Sequence, residues 1–204
     1  MPLNALSLFA GGGGLDLGFS AAGFNIVYST DIDFHSCETL KLNQGRKEFY
    51  SNHLVEQQDI NSLYTADILR KIEKKKEDIQ FIIGGPPCQA FSVFGKRLGL
   101  DDPRGNLVYE YARIIKELKP EGFLFENVSG LKTIHDGELY KSLIETLSFG
   151  GSYTVSAYEY DVAEFGIPQF RSRVIIIGTK TGISVPKMET THTAPDSLFN
   201  AHKP

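Results

Sequence analysis

Short apolar runs alternate along this chain with stretches whose apolar residues recur every three or four positions, and that alternation restricts the fold more than any other feature. The runs fall near residues 5–9, 25–30, 54–55, 79–83, 123–125, 153–160 and 174–177. Helical spacing separates them: Leu15, Phe19 and Ala22; Cys37, Leu40 and the stem of Lys41; Leu63, Ile68, Leu69 and Ile72; Leu107, Tyr111, Ile114, Ile115 and Leu118; Leu139, Leu143, Ile144 and Leu147. Continuous or period-two apolar runs make strands, and a period near 3.6 makes helices. Seven strands alternating with helices predict a three-layer α/β domain. Gly23 is the expected C-cap of the first helix, Asn61 the N-cap of the third and Asp136 that of the fifth.

Chemistry-bearing residues stand where the runs stop. The first run ends at Ala10 and four glycines, Gly11 to Gly14, followed at once by helical spacing. Strand, glycine loop and helix open a nucleotide-type βαβ unit, in which glycine lets a ligand approach the backbone; a loose turn is the plainer alternative. Asp31 ends the second run 20 residues after Gly11, the distance at which an acid bonds ribose hydroxyls. The dinucleotide fingerprint needs a third glycine, but Asp16 and Leu17 occupy its position in the two registers. That leaves an adenosine cofactor without a pyrophosphate, such as S-adenosylmethionine. Asp59 is a second acid at a strand end.

The fourth run leads into Gly84-Gly85-Pro86-Pro87-Cys88-Gln89. Two prolines hold the backbone stiff as it leaves the sheet, presenting Cys88 where open α/β sheets bind ligands. Cys88 is therefore a candidate nucleophile, against the alternative of a buried, inert thiol. Cys37, on a helical stripe, reads as packing. Residues 91–105, with glycines at 95, 99 and 105, read as a long functional loop. Glu126 follows three apolar residues and is either a surface acid or an aimed site group. Arg171 and Arg173 share one side of an extended chain, as an anion- or base-reading pair or as an ordinary exposed edge.

Composition excludes several classes. The net charge of −4 argues mildly against tight, unaided binding of nucleic acid. No apolar run approaches the roughly 18 residues of a membrane span, and the amino terminus lacks a signal-peptide core. Two cysteines without a CxxC pair, and scattered histidines, provide neither a disulfide framework nor a metal site. A cytoplasmic protein, bound to neither membrane nor metal, is expected.

From residue 5 to 178 the chain resembles the cytosine-5 DNA methyltransferases of bacterial restriction–modification systems. The likeness is carried by FAGGGG at 9–14, GGPPCQAFSVFGKR at 84–97, DDPRGNL at 101–107, ENV at 126–128 and GIPQFRSR at 166–173. It implies a Rossmann-like methyltransferase fold with a mostly parallel sheet, S-adenosylmethionine as cofactor and double-stranded DNA as substrate. By the same likeness Cys88 adds to carbon 6 of a flipped-out cytosine and carbon 5 takes the methyl group. Glu126 would engage ring nitrogen 3, Arg173 the 2-oxo group, and Arg171 would orient the base and Glu126. Phe9 and Ile32 would pack on adenine, with Ala10, Gly11, Gly13, Gly14 and Pro87 around the cofactor. Asp31 would hold the ribose, and Asp59 with Ile60 the base edge. Gln89, Ser92, Lys96, Arg97 and Arg104 would contact DNA.

The resemblance also sets expectations for organisation. Residues 1–180 are expected to form an incomplete catalytic domain, and 181–204 a tail leading toward an absent target-recognition domain. The chain is then a fragment, or one subunit completed by a second polypeptide, and weakly active or inactive alone. Two other readings stand beside it: an RNA (tRNA) cytosine-5 methyltransferase, and an inactive module that binds only cofactor or a partner.

Overall fold

The computed structural model describes residues 2–46, 53–87, 107–132, 137–180 and 182–192. Among these residues seven strands form one sheet: β1 (Asn4–Leu8), β2 (Asn25–Asp31), β3 (Leu54–Gln57), β4 (Phe81–Gly84), β5 (Gly122–Val128), β6 (Tyr153–Asp161) and β7 (Ser172–Lys180). Five α-helices accompany them: α1 (Gly14–Ala21), α2 (Phe34–Asn43), α3 (Thr65–Lys71), α4 (Leu107–Leu118) and α5 (Glu138–Ser148). The strand order is β3-β2-β1-β4-β5-β7-β6. The first five strands pair in parallel, whereas β7 runs antiparallel between β5 and β6. All seven sequence-predicted strands are present, and the sheet is mostly parallel as the resemblance implied.

Alternating strand residues feed two apolar layers. Ala5, Ile26 and Ile83 pack with Leu15 and Phe19 of α1, which is the layer on one face. Leu6, Leu8 and Ile82 pack instead with Tyr111, Ile114 and Ile115 of α4. Strand side chains point alternately to opposite faces, so neighbours in sequence serve different layers. Helix α1 closes one residue earlier than expected: Ala22 is its C-cap, and Gly23 follows at φ +90°, donating its N–H to the Ser20 carbonyl.

Two further local expectations need correction, and two others fall on residues outside those described. Asn61 does not cap α3: it sits in the 3₁₀ turn Ile60–Ser62, where Asp59 accepts its N–H, and Tyr64 precedes α3 without a side-chain cap. The two polar residues compete for one turn, and the acid, standing first, takes the cap. Lys41 does not turn its stem inward; it is exposed and pairs with Glu38 at 3.0 Å, one turn away. Asp136 and the side chain of Leu139 lie outside the described residues.

The segment after β7 forms no regular element in its described part, residues 182–192. It is nevertheless held against the edge strand β6 and the turn beyond it. Tyr158 Oη donates to the Val185 carbonyl at 2.7 Å, and the Met188 N–H donates to Tyr160 Oη at 3.0 Å. His192 N–H donates to the Glu164 carbonyl at 2.9 Å.

Candidate active site

Chain direction in the sheet places the site. From β1 the chain moves outward to β2 and β3, then returns to β4 on the other side of β1 and continues to β5. A crevice opens outside the carboxyl ends of strands where the order reverses. A cavity of about 240 Å³ lies there. Its lining comes from the residues just after β1 (Phe9), at the end of β2 (Asp31, Ile32), after β3 (Asp59, Ile60) and after β4 (Pro87).

The backbone of the first loop is bent to expose this crevice. Phe9 adopts φ +54°, a left-handed conformation that disfavours a bulky side chain by roughly 1–2 kcal/mol. The loop is closed by Ala10 N–H donating to the Thr30 carbonyl and Gly13 N–H to the Ala10 carbonyl, both at 3.0 Å. Asp31 binds it from the next strand: Oδ2 accepts from Gly11 N–H at 2.8 Å, and Oδ1 from Asp33 N–H at 2.9 Å. At Gly14 an added Cβ would meet no atom within 4 Å, so the space over this turn is open.

A polar network lies beneath the loop, and sequence reasoning missed it. Asp16 of α1 is fully buried, as are Ser7 of β1 and Ser29 of β2, which are register partners. Ser7 Oγ donates to Asp16 Oδ1 at 2.5 Å and Ser29 Oγ donates to Asp16 Oδ2 at 2.6 Å. His53 Nε2 is 2.8 Å from Ser29 Oγ and 3.9 Å from Asp16 Oδ2. Because the Ser29 proton is given to the carboxylate, His53 Nε2 is the donor to Ser29. Burial raises the Asp16 carboxyl above its ordinary value, opposed by the hydrogen bonds from Ser29 and Ser7 and by His53. Serine, histidine and aspartate meet here in the wrong order for a nucleophilic triad, since the carboxylate orients the serine rather than the imidazole. The available signal was an acid flanked by leucines inside the octet GLDLGFSA.

On the other side of the crevice, strand register sets the acid. Glu126 lies opposite Ile175, and Val128 opposite Arg173, so Glu126 and Arg173 are diagonal neighbours across β5 and β7. Arg173 Nε and Glu126 Oε1 are 2.9 Å apart, with their side chains 20% and 27% exposed. Glu126 also leans on the loop after β4, where a Cβ on Gly85 would come within 2.9 Å of Oε2. The loop is tied to β5 by Asn127, which is 4% exposed: Nδ2 donates to the Pro86 carbonyl at 2.9 Å. Oδ1 of the same amide accepts from Val128 N–H at 2.8 Å, which fixes its orientation. Arg171 is exposed just before β7, its N–H donating to Asp161 Oδ1 at 3.2 Å; Arg173 is the arginine paired with Glu126. Asp161 also accepts from Ala163 N–H and Ser172 Oγ, and the bond from Ala163, the larger effect, with those from Arg171 and Ser172 holds its carboxyl below the ordinary range.

Cys88, Gln89, Ser92, Lys96, Arg97 and Arg104, with the whole of 91–105, lie outside the described residues. Cys37 is fully buried in a small cluster with Ala10, Leu40 and Val55, and burial pushes its thiol up, as suits packing. Among the described residues no histidine, cysteine and acid cluster fits a metal ion, and no helix is long and apolar enough to cross a membrane. A larger depression of about 680 Å³, lined by Lys119, Phe149, Tyr153 and Lys180 among others, sits at the opposite ends of these strands. Ligands of parallel sheets bind at carboxyl ends, so the smaller crevice is the candidate site.

Residues 3–202 match the model of the C-5 cytosine-specific DNA methylase family. The type II methyltransferase M.AquIA of Picosynechococcus sp. is 39% identical over 199 residues, 94% of this chain and 78% of that relative. The type II methyltransferase M1.HphI of Haemophilus parahaemolyticus is 38% identical over 203 residues, 98% of this chain and 52% of that relative. A crystal structure of a candidate DNA modification methyltransferase encoded within an E. coli prophage is 31% identical with a TM-score of 0.70, covering 87% of this chain and 47% of that one. The chain thus spans about half the length of the second relative and of the solved structure.

Proposed function

The chain belongs to the C-5 cytosine-specific DNA methylase family, and from that premise we propose that it carries the catalytic part of an enzyme that methylates carbon 5 of cytosine in double-stranded DNA. The observation that carries the reading is the Glu126–Arg173 pair at 2.9 Å, set against the Gly85–Pro87 loop that leads directly into Cys88. This pair is partly exposed, so a planar base can reach it.

The crevice residues suit the family's cofactor. Phe9, Ile32 and Ile60 form apolar walls, Asp31 and Asp59 provide acceptors, and the open space over Gly14 admits a backbone-hugging ligand. When bound, S-adenosylmethionine supplies an electrophilic methyl group. The chain's own residues do the rest. Glu126 holds a proton at ring nitrogen 3, and Arg173 binds the 2-oxo oxygen while orienting Glu126. Cys88 Sγ forms the bond to carbon 6 as the C5–C6 π pair moves to carbon 5, making that carbon nucleophilic. After methylation, carbon 5 gives up its proton, the S–C6 bond breaks and the thiolate leaves, which restores the ring. Arg171, Gln89, Ser92, Lys96, Arg97 and Arg104 are assigned to the base and the DNA backbone. Target recognition is assigned to residues beyond those matched here, in the same or a second polypeptide, and the setting is the bacterial cytoplasm.

Duplex DNA containing 5-fluorocytosine, incubated with S-adenosylmethionine and the protein together with a complementing recognition part, should trap a covalent adduct on a denaturing gel. An equal adduct from Cys88→Ala overturns the nucleophile. Labelled methyl transfer to tRNA but not to duplex DNA overturns the substrate.

A further inference from the structure

Asp16 takes no part in the chemistry just described, yet it is the most deeply buried acid among the described residues. Burying a carboxylate costs several kcal/mol, which charge-assisted hydrogen bonds recover only in good geometry. Here both oxygens are occupied by hydroxyls from two adjacent strands, at 2.5 and 2.6 Å. An apolar residue in its place would leave the buried Ser7 and Ser29 hydroxyls without their acceptor, so Asp16 and its two serines stand or fall as a unit.

Each member of the network belongs to a different piece of the crevice. Ser7 is in β1, two residues before Phe9. Asp16 is in α1, directly after the glycine loop. Ser29 is in β2, two residues before Asp31. His53 immediately precedes β3, which leads to Asp59. His53 in turn accepts at its carbonyl from Gln44 Nε2 at 2.6 Å, just beyond the end of α2. A hydrogen bond fixes distance and direction, whereas apolar contact resists sliding only weakly. β1 and β2 are therefore tied directly to the α1 carboxylate, and the segment before β3 joins them through Ser29.

We infer that Asp16, acting through Ser7 and Ser29 and backed by His53, is a positioning residue for the cofactor, setting the glycine loop and the end of β2 in mutual register. The inference rests on the reading of this crevice as the cofactor site. It assigns Asp16 no contact with the reacting atoms. The isosteric Asp16→Asn tests it: an amide accepts from one serine as before but must reverse the polarity of the bond to the other.

Two readouts separate positioning from bulk stability. In native-state hydrogen exchange, Asp16→Asn should speed exchange of the Gly11, Gly13 and Leu17 amides about tenfold, leaving amides of β5 and β7 unchanged. In calorimetry, the dissociation constant for S-adenosylmethionine should rise about tenfold, with kcat at saturating cofactor unchanged where turnover is measurable. Uniform acceleration across the sheet, or a looser loop with unaltered cofactor affinity, overturns the inference. Should Asp16→Asn not fold, Ser29→Ala must show the same local pattern, and its absence is equally decisive. If the unaltered protein binds no S-adenosylmethionine, the cofactor reading fails, while the exchange experiment still decides whether Asp16 orders the loop.

Discussion

The two halves of the sheet place functional groups by different means. In the parallel half, β3-β2-β1-β4, the candidate groups lie at or just beyond the strand ends, and the loop after β1 and the end of β2 are tied from below through Asp16, Ser7 and Ser29, with His53 bonded to Ser29. In the antiparallel half, β5-β7-β6, the acid and the arginine lie within strands, and ladder register alone sets Glu126 beside Arg173. The packing beneath differs accordingly. Phe123, Phe149 and Tyr153 form a closed aromatic cluster under β5 and β7, with ring centroids 5.3–6.3 Å apart. Strand-borne groups need a rigid support and nothing more, whereas loop-borne groups need a tie at each loop.

The largest expected effect tests the division of labour. Glu126→Gln should lower turnover by about 10²–10⁴-fold, the usual worth of a general acid–base group. Cofactor affinity measured by calorimetry should stay unchanged. A parallel loss of cofactor binding would mean that the two halves do not act separately.

Next comes the support of the antiparallel half. A Cβ at Gly178 would lie 2.1 Å from the buried Phe123 ring, which its aromatic neighbours prevent from moving aside. Gly178→Ala should therefore cost about 1–3 kcal/mol by overpacking, seen as a lower Tm. Its effect on cofactor affinity should be slight.

Gly14→Ala sharpens the contrast because its two effects have opposite signs. No protein atom lies within 4 Å of the added methyl group, and alanine favours the first turn of α1 by up to about 1 kcal/mol over glycine. Tm should rise slightly while S-adenosylmethionine binds several-fold more weakly. An unchanged dissociation constant would remove Gly14 from the cofactor site.

The smallest effect concerns the turn before β7. The Asp161 carboxyl is held below its ordinary value by N–H and hydroxyl donors, so it contributes stability above the ordinary carboxylate range, lost as pH falls through its folded value. Asp161 is half-buried at the last position of β6, so the change is local. The protection of the Ala163 and Arg171 amides, corrected for the intrinsic pH dependence of exchange, should fall in acid in the native protein and be low at all pH values in Asp161→Asn. Acid-insensitive protection in the native protein would deny Asp161 that role.

Much of this architecture was legible in the residues because strands and helices follow local periodicity. All seven runs became strands, and each of the five helical stripes coincides with a helix. Asn61 and Lys41 were misread for the complementary reason: a cap and a long side chain's direction depend on competing neighbours, here Asp59 and Glu38. Asp31, Asp59 and Glu126 could be picked out as acids at or near strand ends. Their ties could not be seen.

By itself, then, the sequence determined the alternation of elements, the family and the identity of candidate groups, because these are written in period, composition and contiguous motifs. Only the tertiary structure decided which groups meet. The antiparallel insertion of β7 put Arg173, rather than Arg171, on Glu126. The parallel pairing of β1 with β2 brought Ser7 and Ser29 side by side to receive one carboxylate. Both outcomes depend on strand register between segments far apart in the chain, and register is settled by the packing of whole faces, which no local pattern encodes.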